Sequence, residues 1–172
     1  DINNIGVRGQ LLFKPTDKIN FTFIADVTDQ NPVGYGWPVA KVVTTKRAAY
    51  RQFNAIIGDL GYTLPYKSAF ERIIDQDTPS RAGNQLGGLS LNADFKIGGG
   101  TLTSTTAWRY WKWDPLNDRD YIGLNSFSIS SGTSAHDQYS QEFRYSGKIN
   151  DKISGVVGAF GLWQDLRTDP VH

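Results

Sequence analysis

The stretch that decides the fold runs from Leu89 to Trp113, with the sequence LSLNADFKIGGGTLTSTTAWRYWKW. Polar residues alternate with apolar ones in its first part, and the apolar positions are Leu89, Leu91, Ala93, Phe95 and Ile97. A period of two is typical of a β-strand with one apolar and one polar face. A glycine turn at residues 98–100 follows, and Leu102, Trp108 and Tyr110 then share one face of a return strand with Ser104 and Thr106. The stretch therefore predicts a β-hairpin.

The same alternation recurs on both sides of this hairpin, and it predicts three hairpins in all. The predicted strands cover approximately residues 4–13, 19–28, 88–97, 101–113, 139–146 and 153–163. Short turns join the strands of each hairpin, at residues 14–18, 98–100 and 147–152. In the last strand, residues 155–159 (GVVGA) blur the alternation, so the pattern does not predict which way its side chains face.

The connections between hairpins are much longer than the turns within them, at approximately residues 29–87 and 114–138. Outer-membrane β-barrels have this asymmetry, with short turns on the periplasmic side and long loops outside the cell. Strands of about nine to eleven tilted residues also match the thickness of the bilayer. The sequence therefore predicts an all-β fold of antiparallel transmembrane β-barrel strands.

The first long connection contains a helical pattern from Lys46 to about Leu60. Its apolar residues Ala49, Phe53, Ile56, Ile57 and Leu60 fall at helical spacing. Gly61 follows as a C-cap and Pro65 as a stop signal. We expect a short amphipathic helix in an extracellular loop, although a surface helix of a soluble domain fits these residues equally well.

Composition excludes several classes of function. The chain has no Cys, which removes disulfides, thiolate metal clusters and thiol nucleophiles. Its net charge is +1, from 18 basic and 17 acidic residues spread along the chain, which is not the basic footprint of a nucleic-acid-binding protein. Six strands cannot close a barrel, and Met is absent, so we expect the 172 residues to be part of a longer chain.

Several segments resemble the barrel strands of TonB-dependent outer-membrane receptors. The run 100–109, GTLTSTTAWR, is similar to a recurrent Thr-Leu-Thr-Ser-x-Thr-Ala-aromatic-Arg strand of that family. The segment 139–145, YSQEFRY, resembles its Ser-Gln-Glu-Leu-Arg strand, and 157–160, VGAF, resembles the strand that follows. The pair 12–15, LFKP, and 19–21, INF, resembles a hairpin of the same family.

The resemblance implies a 22-stranded barrel, of which this chain holds six strands without the N-terminal plug domain. It implies active uptake of a scarce nutrient (a siderophore, a cobalamin or an oligosaccharide) across the outer membrane of a Gram-negative cell, with energy from the TonB complex of the inner membrane. No enzymatic activity, cofactor or nucleic-acid partner is expected. Two alternatives share the strand pattern: a porin without a plug, and a soluble β-sandwich binding module.

Charged residues at alternating strand positions are expected to face the lumen, because each would cost a few kcal/mol in lipid. They are Arg8, Asp26, Asp94, Arg109, Glu142 and Arg144. We expect them to pair with one another or with the plug.

Aromatic residues cluster at the end of the fourth predicted strand, at Trp108, Tyr110, Trp111 and Trp113. Their position predicts an aromatic girdle at the membrane interface. The alternative is a carbohydrate-stacking platform, to which loop residues Tyr35 and Trp37 would contribute. The possible ligand contacts are therefore Tyr35, Trp37, Trp111 and Trp113.

Two other groups of residues suggest chemistry. His136 lies near Ser134 and Asp137, but a hydrolase triad needs groups that converge from separate elements, so we expect no catalysis there. Residues 114–120, DPLNDRD, supply Asp114, Asn117, Asp118 and Asp120, whose oxygens suit Ca²⁺. Their spacing does not fit an EF-hand, and an Asp/Asn-rich loop of turn formers is favoured over a calcium site.

Overall fold

A single antiparallel sheet dominates the computed structural model, which describes residues 2–126 and 130–169. Its strands are β1 (Asn4–Thr16), β2 (Ile19–Gln30), β3 (Arg81–Ile97), β4 (Gly100–Asn117), β5 (Ser130–Ser131), β6 (Ser134–Asn150) and β7 (Ile153–Thr168). The order across the sheet is β1-β2-β3-β4-β6-β7, and the short β5 pairs with the end of β4. The all-β prediction is confirmed in the form of an open sheet of six long strands.

Each of the six long strands contains its predicted segment and extends beyond it. The extension is largest at the ends next to the long connections, where β3 begins at Arg81 instead of residue 88 and β6 begins at Ser134 instead of residue 139. These ends carry mostly polar or small residues on both faces and therefore lack the alternation on which the prediction depended. The connections shorten accordingly to residues 31–80 and 118–133, and residues 127–129 lie outside the described part of the chain.

The three hairpin turns are tighter than predicted, with two residues each: Asp17-Lys18, Gly98-Gly99 and Asp151-Lys152. Gly98 and Gly99 have φ angles of 57° and 85°, and Ile97 pairs with Gly100. Two consecutive residues with positive φ are typical of the turn whose twist matches that of the flanking strands, and glycine adopts them without strain. All three turns lie at one end of the sheet, the turn end, and both long connections leave from the other, the loop end.

The predicted helix is shorter than its pattern. A 3₁₀ turn at Ala49–Arg51 is followed by α1 (Phe53–Asp59), and Gln52 between them is extended with ψ of 150°. The Gln52 side chain accepts a hydrogen bond from Thr45 N at 2.9 Å and donates to Arg47 O at 2.6 Å. These bonds stabilise the extended conformation at Gln52 and separate the two helical segments. No helix of the described residues is long and apolar enough to cross a membrane.

The pairing register assigns each strand residue to one of two faces, because paired residues share a face. The apolar face contains Leu89, Leu91, Ala93, Phe95, Ile97 and the residues paired with them; the polar face contains Ser90, Asn92, Asp94, Lys96 and their partners. The register is continuous from β2 to β6 over the central part of the sheet. Residues paired on successive strands therefore form a cross-strand row, and each row lies on one face of the sheet.

Candidate functional site

The six charged residues expected to face a lumen all lie on the polar face. One cross-strand row contains Arg8, Asp26, Gly88 and Arg109 in succession. Another row contains Asp94, Thr103 and Arg144. Glu142 pairs with Thr105, which lies on the same face of β4 as Thr103 because the two are two positions apart. The residues share one face of the sheet, and that this face lines a lumen stays a prediction.

Asp26 and Arg109 form an ion pair that crosses a whole strand. Arg109 Nη1 donates to Asp26 Oδ1 at 2.6 Å, although β3 lies between β2 and β4. The residue of β3 in that row is Gly88, and a Cβ there would meet Arg109 Cδ at 2.8 Å and Trp108 O at 2.2 Å. The absence of a side chain at Gly88 therefore lets the Arg109 side chain lie across β3. Elsewhere on this face, Thr103 Oγ1 donates to Asp94 Oδ1 at 2.7 Å.

The apolar face has aromatic residues near both of its ends. Toward the loop end, Trp108, Tyr139 and Trp163 occupy one cross-strand row, with ring centroids 6.5 Å and 5.5 Å apart, and Tyr110 stacks on Trp108 at 5.4 Å. Toward the turn end, the Phe21 ring lies 6.3 Å from Phe13 and 6.1 Å from Phe95. Leu11 and Leu91 lie in the row between the two aromatic groups, and Leu89 lies in the same row as Trp108.

Three polar side chains interrupt the middle of this apolar face and bind one another. Thr106 Oγ1 donates to Gln141 Oε1 at 2.6 Å, and Gln141 Nε2 donates to Ser104 Oγ at 3.0 Å. No facing was predicted for Gln141, although its odd number within β6 places it on the same face as Tyr139 and Phe143. Their mutual bonds satisfy groups that would otherwise be costly in an apolar environment.

The aromatic cluster at the end of β4 belongs to both faces. Trp108 and Tyr110 lie on the apolar face, where Trp108 Nε1 donates to Asp137 Oδ1 at 3.0 Å. Trp111 and Trp113 lie on the polar face, with ring centroids 6.3 Å apart and planes 12° from parallel. The four residues are close together near the loop end of β4, and the period of two divides them into two pairs on opposite faces.

The structure brings together Trp111 and Trp113, and it gives the two loop aromatics different surroundings. Tyr35 is 82% exposed. Trp37 is 62% exposed, and its ring lies 6.4 Å from that of Tyr121 in the second long connection. No contact between the loop pair and the strand pair is found among the described residues.

The two long connections meet at Tyr62. Its hydroxyl donates to Asp75 Oδ2 at 2.5 Å and accepts from Gly123 N at 3.2 Å. Burial, followed by the hydrogen bond to Asp75, raises the pKa of Tyr62 to about 12. Gly123 leaves room for this contact, because a Cβ there would lie 2.5 Å from the Asp75 carboxylate, which would have to shift.

The Asp/Asn-rich segment is built as a turn. Asp118 is 3% exposed, and its Oδ1 accepts from Asp120 N and Tyr121 N, both at 3.2 Å. Burial and the neighbouring Asp120 raise the pKa of Asp118. Asp114 is engaged elsewhere, in an ion pair with Arg81 at 2.8 Å. Within the described residues, no three Asp, Glu, His or Cys side chains are grouped closely enough to hold a metal ion.

The residues around His136 do not converge. Ser134 and His136 lie on the polar face of β6, whereas Asp137 lies on the apolar face and accepts a hydrogen bond from Trp108.

Comparison with protein-family models, with curated proteins and with solved structures finds no match to this chain.

Proposed function

We propose that this chain forms part of the wall of a TonB-dependent outer-membrane receptor, which takes up a scarce nutrient by active transport. The observation that carries the proposal is the division of one sheet into two faces. The apolar face has aromatic rows near both ends, as an outer-membrane barrel has where its wall meets the two interfaces. The opposite face carries the Asp26–Arg109 ion pair, as the wall of an aqueous lumen does.

The length of the apolar face supports this orientation. Its apolar residues span residues 5–13, 19–27, 89–97 and 102–110 in β1–β4, which is nine positions in each strand. A tilted strand needs about nine to eleven residues to cross the hydrocarbon layer. The next residues of this face toward the loop end are charged or polar, with Asp29, Gln85 and Lys112 in one row. The apolar side gives way to polar residues in the same row of β2, β3 and β4, and Ile5 extends it by one row in β1. A limit shared by three neighbouring strands suits a lipid slab better than a closed core.

The three short turns and the two long connections lie at opposite ends, as in outer-membrane barrels. The receptor class is supported by the resemblance of residues 100–109, 139–145 and 157–160 to strands of that family. The inferred surroundings are outer-membrane lipid on the apolar face and a plug domain on the polar face. The inferred energy source is the TonB complex, which would act through the plug.

Cysteine labelling in the membranes of Gram-negative cells tests the orientation, because the chain contains no Cys of its own. We expect Ser90→Cys and Asn92→Cys to react with a water-soluble maleimide. The matched neighbours Leu89→Cys and Leu91→Cys should react only with a lipid-soluble reagent. Equal reaction of all four positions with the water-soluble reagent, or recovery of the protein in the soluble fraction, would overturn the membrane assignment and favour a β-sandwich.

Two further cysteines test the direction of insertion. Tyr35→Cys, in the first long connection, should be labelled on intact cells. Asp151→Cys, in the β6–β7 turn, should be labelled only after the outer membrane is permeabilised. The reverse pattern would contradict the proposed topology.

Energy dependence separates the receptor from a porin, which would share every strand feature. We expect uptake through the protein to stop when the inner-membrane proton gradient is dissipated or when TonB is deleted. Uptake that continues unchanged in both conditions would identify a passive pore.

A further inference from the structure

The loop end of the polar face is uncharged over two complete cross-strand rows. One row contains Asn4, Gln30, Asn84, Trp113, Ser134 and Thr168, and the next contains Gly6, Thr28, Leu86, Trp111, His136 and Leu166. Apart from His136, these described residues include no side chain of an ionisable type. The rows consist of amides, hydroxyls, small or aliphatic residues and two tryptophans.

The tryptophans of these rows are held in place by their neighbours. The Trp111 indole N–H donates to Asn84 Oδ1, and Asn84 Nδ2 donates to Gln30 Oε1 at 2.8 Å. The Trp111 ring lies nearly parallel to that of Trp113, and Trp113 remains 40% exposed. Two rings held at a fixed angle present a preformed aromatic surface, which binds a ligand at a lower entropy cost than mobile side chains do.

We propose that Trp111 and Trp113, with Asn84, Gln30 and His136, form a binding platform for a neutral oligosaccharide. A pyranose ring has an apolar C–H face, which packs on an aromatic ring, and a rim of hydroxyls, which need planar amide or imidazole partners. Sites of this kind combine aromatic surface with a few placed polar groups. The place of the platform in uptake rests on the proposed transport function, since the loop end would then face the outside of the cell.

The charge distribution of these rows favours a neutral ligand over an anionic one. An anionic metal chelate or a phosphorylated ligand needs cationic partners, and the two uncharged rows contain no Lys or Arg. The next row toward the turn end holds Arg8, Asp26 and Arg109. Arg109 is bonded to Asp26 at 2.6 Å, and Arg8 lies on β1, three strands from the tryptophans of β4. The same row includes Gln138 and Gln164, joined by a 2.9 Å hydrogen bond, which extend the amide surface.

Binding to an array of neutral glycans, with affinities then measured by calorimetry on the full protein in detergent, tests the platform. We expect a linear hexose or pentose oligosaccharide to bind, and Trp113→Ala and Trp111→Ala each to weaken it about tenfold. Trp113→Phe should keep the affinity within about threefold, because it keeps an aromatic face. Trp163→Ala is the matched control on the apolar face and should leave binding unchanged.

Two results would overturn the proposal: no neutral glycan bound at millimolar concentration, or equal affinity in the wild-type protein and both alanine variants. Failure of the transport assignment is distinguishable from failure of the platform. If the cysteine labelling contradicts membrane insertion while the tryptophan variants still lose glycan binding, the platform stands and only its role in uptake is lost.

Discussion

A single glycine determines whether the charges of the polar face can meet. Asp26 and Arg109 lie on strands that do not touch, and the Arg109 side chain reaches across β3 because Gly88 has no side chain. The pair is partly exposed, so its own contribution to stability is modest and screened by salt. The choice of partners matters more. Because Asp26 is bonded to Arg109, Arg8 is the remaining charged residue of that row.

Gly88→Ala should destabilise the protein and separate this ion pair. The added Cβ would meet a backbone carbonyl at 2.2 Å, and overpacking of this kind costs about 2 kcal/mol. The free energy of unfolding in urea measures the effect. Gly9→Ala is the matched control, because nothing lies within 4 Å of a Cβ at that position. Equal stability of the two variants would contradict this explanation of Gly88.

At the scale of the element, β4 and β6 each combine residues for two environments. β6 alternates Tyr139, Gln141 and Phe143 on the apolar face with Ser140, Glu142 and Arg144 on the polar face. Gln141 is the polar residue between Tyr139 and Phe143, and its bonds to Ser104 and Thr106 make it tolerable there. Adjacent positions of one strand should therefore respond oppositely to the same substitution.

Gln141→Arg should be costly and Ser140→Arg nearly neutral. In the proposed membrane orientation, an arginine at position 141 would lie on the lipid face near the midplane and cost about 2–4 kcal/mol, whereas one at position 140 would lie on the lumen face in water. Folding into lipid vesicles, followed by urea titration, measures both variants. A similar cost at both positions would indicate that the two faces have similar environments.

The contact between the long connections should weaken at high pH. The pKa of Tyr62 is raised from its usual value near 10 to about 12, so the folded state favours the neutral phenol that donates to Asp75. Its contribution is fully present below pH 10 and is lost as the pH rises through about 12. The difference in tyrosinate absorbance between the wild-type protein and Tyr62→Phe should titrate near pH 12. Titration near pH 10 would show that the contact is absent in solution.

Strand positions and facing were predictable from sequence because alternation is a local signal. It located all six long strands and placed Arg8, Asp26 and Glu142 on one face. It could not locate the polar strand ends at residues 81–87 and 114–117, since a strand that is polar on both faces shows no alternation. It also could not anticipate Gln52, whose side chain interrupts the predicted helix through bonds to the preceding residues Thr45 and Arg47.

The candidate site was less predictable, because it depends on register. The sequence identified Trp111 and Trp113 as possible ligand contacts, but it did not connect them with Asn84 or Gln30. Asn84 is 27 residues from its hydrogen-bond partner Trp111 in the sequence and 54 residues from its other partner, Gln30. The pairing of β2, β3 and β4 brings these residues together. Tyr35 and Trp37 lie in a connection without repeating structure, where no periodicity indicates position.

At the scale of the whole molecule, the sheet has two open edges, at β1 and β7. Each edge leaves backbone N–H and C=O groups without a partner strand among the described residues. In lipid such groups cost several kcal/mol each, and in water a long apolar edge promotes association. Both faces of β7 are rich in exposed apolar residues, among them Val156, Val157 and Phe160.

Residues 1–172 produced alone should therefore self-associate. We expect size-exclusion chromatography with light scattering in mild detergent to show species larger than one chain of 19.1 kDa. A stable, monodisperse monomer would contradict the conclusion that both edges need partners.

The order of the strands also has a consequence for how the sheet assembles. Each long strand pairs only with the preceding and following long strands in the chain, and three of the five long-strand pairings are closed by two-residue turns. Closing the connection at residues 31–80 costs about 3 kcal/mol more in chain entropy than closing such a turn, if the connection is flexible. The three hairpins should therefore form first, as independent kinetic units, and their docking side by side should limit the rate of folding.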